Sequence, residues 1–131
     1  MTQRLQVRIK VGITMLLLTV FSNVSFAQQN DIATLEKAYK QQYGIEKLQS
    51  LNQLTRYFRK DNPRKSIKYG KLAVELGEAI FTESNTLISE EEQKLLAMAH
   101  LQLGQVMLDR ERFFEAKNHF ESCLAVSQEI A

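Results

Sequence analysis

The chain has 131 residues, with 17 Lys and Arg against 15 Asp and Glu, two His and one Cys. That length suits one modest domain, and a single Cys excludes an internal disulfide, so stability has to come from packing. The sequence pI near 8.7 is largely the work of Arg4, Arg8 and Lys10; without them 14 bases face 15 acids, which removes any argument for nucleic-acid binding from net charge.

Residues 1–27 read as a Sec-type signal peptide. The three bases form a positive start with no acid before Asp31, Val11 to Phe21 is an apolar run of eleven, and Ser25-Phe26-Ala27 has the small-x-small order of a cleavage site. The run falls short of the roughly 20 apolar residues a membrane span needs. Cleavage after Ala27 is the expectation, giving a periplasmic or secreted chain over 28–131; an uncleaved inner-membrane anchor is the alternative and the only membrane attachment foreseen.

Beyond Asp31 the periodicity is helical throughout. Helices are expected near 31–43, 45–60, 63–87, 90–109 and 112–130, an all-α chain of about five helices. Gly44 is expected to end the first. In the second, Leu48, Leu51, Leu54 and Phe58 form one apolar stripe, the spacing of a helix that buries one face. Asn62 and Pro63 open the third, as cap and first helical residue, and its stripe is Ile67, Gly70, Ala73, Val74, Gly77, Ile80 and Phe81. Each glycine there costs about 1 kcal/mol against alanine, which makes sense where another helix crosses closely. Ser89 with Glu92 is a capping box that starts the fourth helix. The fifth carries Phe113, Ala116, Phe120, Cys123, Leu124 and Ile130.

Leu103-Gly104 is followed by Met107, Phe113, Ala116, Phe120 and Cys123, with Ala, Phe and the small Cys at 12, 16 and 19 residues past the glycine. This order resembles the tetratricopeptide repeat. A weaker copy, about 50 residues earlier, runs Leu54-Thr55, Phe58, Ser66, Gly70 and Ala73. The resemblance places repeats near 46–80 and 96–130 and implies antiparallel helix hairpins stacked as a short right-handed solenoid. It also implies that the first helix of each hairpin presents ligand-contacting residues on an inner face. These are Gln49, Asn52, Arg56 and Arg59 in one repeat and Met98, Leu101, Gln105 and Leu108 in the other. Some family members clamp a C-terminal carboxylate with Lys and Asn where this chain has Asn52 and Arg56, so that specificity is not carried over.

Catalytic signatures are missing: the sequence has no Gly-rich phosphate loop, H-E-x-x-H, G-x-S-x-G or paired carboxylates. His119 and Cys123 stand four apart on one helix, a spacing open to a metal pair, but without matching third and fourth ligands; no metal, cofactor or enzymatic activity is expected. Charge is unevenly spread. Arg56, Arg59, Lys60, Arg64, Lys65, Lys68 and Lys71 face only Asp61, whereas Glu75 to Glu92 holds six acids and no base. Arg56, Arg59 and Lys60 are expected to steer an acidic partner.

These readings favour a non-enzymatic, exported module that binds a protein or peptide. NPRKSIKYGKLAVELGEA looks like the sensory regions of exported bacterial signalling proteins, so a sensory or N-terminal role in such a protein is one expectation. A periplasmic scaffold or envelope-assembly protein is the other. Met98, Leu101, Leu108, Phe113, Leu124 and Ile130 exceed what two hairpins can bury, so self-association, further repeats or a bound peptide is expected to cover them.

Overall fold

The structure, a computed structural model, describes residues 31–83 and 89–130. The signal-peptide reading and the expected end of the third helix at 87 lie outside these residues. Helix α1 covers 31–38 and leads into a 3-10 turn at Tyr39–Gln41; α2 spans Gly44–Phe58, α3 Pro63–Glu83, α4 Glu90–Asp109 and α5 Phe113–Ile130. The chain is all-α with no strand among the described residues. Helices α2–α5 belong to the unit that begins at Glu36; residues 31–35 are helical and group with the N-terminal unit.

The helix starts follow local chemistry. Asn62 Oδ1 accepts the Lys65 N–H at 3.2 Å beside Pro63, and Ser89 Oγ accepts the Glu92 N–H at 3.2 Å, each satisfying one of the free amides of a first turn. One boundary differs from the sequence expectation. The first helix stops at the 3-10 turn, and Gly44, with φ +57°, is the first residue of α2 rather than the end of its predecessor. The α4–α5 turn falls where it was expected, within a residue. Glu111 takes the left-handed conformation (φ 58°), with Glu111 N–H donating to Leu108 O and Arg112 N–H to Met107 O. This is the paired bonding that closes many helix ends, usually with glycine at the left-handed position.

Consecutive helices pack as antiparallel hairpins. Gly70 of α3 meets Leu103 of α4 while Gly77 meets Leu96, so sequence order reverses across the contact. By contrast, contacts of α2 with α4 advance together, Gln49 with Glu91, Asn52 with Leu95 and Arg59 with Asp109, and these helices run parallel. The result is a repeat-like arrangement in which α2 and α4 are equivalent first helices, α3 fills the space between them, and α5 packs on α4.

Helices α2, α3 and α4 supply most of the buried side chains. Leu48, Leu51, Leu54, Phe58, Tyr69, Ala73, Leu96, Ala99, Leu103, Val106 and Met107 are all buried. Ser66, fully buried, gives its hydroxyl hydrogen to Thr55 O at 2.7 Å, which lets a polar residue sit at the α2–α3 crossing without an unmade bond. A Cβ on Gly70 would stand 3.0 Å from Leu103 Cδ1 and 3.3 Å from Thr55 Cγ2, so this glycine is the point where α2, α3 and α4 converge. The apolar stripe expected for α5 is covered on one side only. Ala116 is buried and Phe120 packs against the core, but Phe113 and Leu124 are 63% and 59% exposed. Periodicity marks them as apolar-face residues, yet no described element lies against that side.

Candidate functional site

Because α2 and α4 run parallel, their outward faces form a groove of about 220 Å³, lined by Gln49, Asn52, Gln53 and Arg56 from α2 and Leu95, Met98 and Gln102 from α4. The α2 residues fall at i, i+3, i+4 and i+7, one helix face. Four of the inner-face residues named from the sequence are therefore brought together here. Gln53, Leu95 and Gln102 were missed, although each is next to a named residue on the same face.

Other named residues do different work. Arg59 donates from Nε to Asp109 Oδ2 at 2.7 Å and from Nη2 to Oδ1 at 3.2 Å, and a third bond reaches Gln105 Oε1 at 3.3 Å. Arg59 and Gln105 thus tie α2 to α4 below the groove. The bond to Arg59 holds the Asp109 carboxyl below its ordinary range, against weak burial, and Lys60 adds to the effect. Leu101 and Leu108 are exposed, but Leu108 lies about 80° around α4 from Met98 at 3.6 residues per turn. It lines a second, apolar groove of about 380 Å³ with Phe113, Ala116, Lys117, Phe120, Glu121 and Leu124.

The walls of the first groove carry two buried acceptors without a hydrogen-bond partner among the described residues, Asn52 Oδ1 and Gln102 Oε1. Asn52 is held in place by its Nδ2, which donates to Leu95 O at 3.1 Å. An acceptor left unpaired in a buried position costs about 1–3 kcal/mol, so both atoms would gain from an N–H or O–H donor. Met98 and Leu95 provide apolar contact, and the exposed Arg56 provides positive charge at one edge.

The basic run reads differently in three dimensions. Lys65 pairs with Glu36 at 3.1 Å and lies 4.8 Å over the Phe58 ring. The Tyr69 hydroxyl donates to the same carboxylate at 2.6 Å. Burial works against charge on Glu36, but the hydrogen bonds from Tyr69 and Lys65 and the charges of Lys65 and Lys68 outweigh it and keep the carboxyl below its usual value; burial and Glu36 in turn push the Tyr69 hydroxyl upward. Arg59 and Lys65 are therefore committed to internal pairs, while Arg56, Lys60 and Arg64 stay exposed.

His100 is buried against His119, and Cys123 is half-buried one turn further along α5. Among the described residues no group of three or more His, Cys, Asp or Glu is placed to hold a metal ion, and no helix is long and apolar enough to cross a membrane. Comparison of the chain with known protein families, characterised proteins and solved structures brought no match.

Proposed function

We propose that this is an exported, non-enzymatic helical-repeat module of tetratricopeptide type that binds a protein or peptide segment in the α2/α4 groove, as the sensory or N-terminal part of a bacterial signalling protein. The observation that carries the binding reading is the pair of unpartnered acceptors, Asn52 Oδ1 and Gln102 Oε1, in the walls of a groove also lined by Met98, Leu95 and Arg56. A peptide supplies what these walls lack: backbone N–H donors, apolar side chains, and an acidic group for Arg56. The export and signalling parts rest on the residue 1–27 pattern and on the likeness of residues 62–79 to sensory regions.

A displayed peptide library enriched in acidic residues, panned on residues 28–131, tests the reading. Selected peptides should lose about tenfold or more in affinity when Arg56→Glu or Met98→Glu is introduced, since each 1.4 kcal/mol is a factor of ten. They should be unaffected by Leu124→Ser in the apolar groove. Binders that ignore both groove substitutions would overturn it.

The apolar groove on α5 favours a second reading, a scaffold that assembles through that face. Leu108, Phe113 and Leu124 are all exposed there, a contiguous apolar patch of the kind that marks an interaction surface.

A further inference from the structure

Away from the α2/α4 groove, one cluster of titratable groups ties three helices together. His100 of α4, 3% exposed, places Nε2 at 3.3 Å from Glu78 Oε1 on α3 and Nδ1 at 3.2 Å from His119 Nδ1 on α5. The imidazole rings are 5.5 Å apart and tilted by 35°. Facing a carboxylate, His100 Nε2 carries a hydrogen. A neutral imidazole has only one, so His100 Nδ1 is an acceptor and the hydrogen between the rings belongs to His119.

This tautomer assignment makes the two protonations unequal. One added proton leaves the bond intact, whether the cation is His119, protonated at Nε2, or His100 beside Glu78, with His119 turned to its Nε2–H tautomer and accepting at Nδ1. A second leaves a hydrogen on both Nδ1 atoms. The bond then becomes two N–H groups facing each other at 3.2 Å, between two cations. The surrounding charges are Glu78 and Lys71 from α3 and Glu115 from α5. Burial is the largest influence on both rings and favours their neutral forms; Glu78 opposes it at His100, while at His119 the charges of His100 and Lys71 add to it against Glu115 and Glu78.

The contact matters because α4 is the one described helix that α5 packs against. Among its described side chains only Ala116 is buried, with Phe120 lying against Gly104, and Phe113 and Leu124 stand in an open groove shared with Leu108 of α4. We propose that the His100–His119 pair is a proton-operated latch between α4 and α5: neutral or singly protonated it holds α5 in place, and doubly protonated it releases α5.

The direction in pH follows. Both imidazoles titrate below their ordinary 6.5 in the folded chain. The released state therefore takes up protons first as pH falls; pairing is at full strength above that value and weakens below it.

Amide hydrogen exchange of the chain between pH 8 and 5, corrected for intrinsic exchange, tests the latch. Protection of α5 amides should fall by about tenfold per pH unit once one extra proton accompanies release, while α2 and α3 amides keep theirs. In His119→Asn the amide Nδ2–H replaces the donated hydrogen with a group that does not titrate, and the pH response of α5 protection should shrink to what His100 alone contributes. The wild-type imidazole resonances give a readout independent of any variant: two unequal titrations, both below 6.5. Level α5 protection in the wild type, an unchanged pH response in His119→Asn, or two independent titrations at the ordinary value would overturn the proposal.

Discussion

The two hairpins use the same parts in opposite ways. In α2–α3 the small residues, Ser66, Gly70 and Ala73, are on the second helix; Gly70 faces Thr55 of α2 and Leu103 of α4. In α4–α5 the glycine, Gly104, is on the first helix, and a ring from the second, Phe120, fills the space: a Cβ there would meet Phe120 Cε1 at 2.7 Å. The first arrangement builds a helix buried on two sides. The second builds a helix buried on one. Sequence position in a repeat thus sets how two helices touch, but neighbours decide how firmly each is held.

Substitutions in the two cores should expose this asymmetry most strongly. Leu54, with no exposed surface, should cost about 2–5 kcal/mol when cut to alanine, through lost burial and a residual cavity. Leu124→Ser, on the open side of α5, should change stability by less than about 0.5 kcal/mol. Denaturant unfolding measures both, and sedimentation of residues 28–131 should show weaker self-association for Leu124→Ser. A large stability loss at Leu124 would mean that its side of α5 is covered after all.

A finer contrast lies in the two glycines. Gly70→Leu drives a side chain between Leu103 and Thr55, from two helices, whereas Gly104→Leu first meets the ring of Phe120, which borders the open groove. Overpacking a core costs about 1–3 kcal/mol; Gly70→Leu belongs at the top of that range and Gly104→Leu at the bottom. Equal losses in thermal or denaturant unfolding would break the comparison.

Much of this was legible in the residues. The Asn62-Pro63 and Ser89 starts, the Leu48–Leu51–Leu54–Phe58 stripe and the close approaches at Gly70 and Gly77 all follow from local pattern, because capping and helical spacing act within a few residues. What the pattern leaves open depends on a neighbour. Phe113 and Leu124 are among the residues expected to exceed what two hairpins bury, and both are exposed, but spacing cannot say what covers them. Gln53, Leu95 and Gln102 join the groove because α2 and α4 lie parallel at one particular register, and the Glu78–His100–His119 chain needs three helices in register at once. Arg59 looked like a free cation until Asp109, 50 residues away, came beside it.

That pair gives a small expected effect between the two hairpins. Arg59 and Asp109 join the first helix of one hairpin to the first helix of the other with good geometry, but their side chains are 35% and 43% exposed, so solvent screens most of the attraction. A double-mutant cycle with Arg59→Ala and Asp109→Ala should give a coupling of about 0.5–1 kcal/mol, shrinking as salt is raised. Asn52→Ala, which removes the bond to Leu95 O in the same interface, should cost more, because Asn52 is 3% exposed and its bond is made out of reach of water. A coupling above that of the buried bond would mean that charge, rather than the buried contacts around Asn52, holds the two hairpins in register.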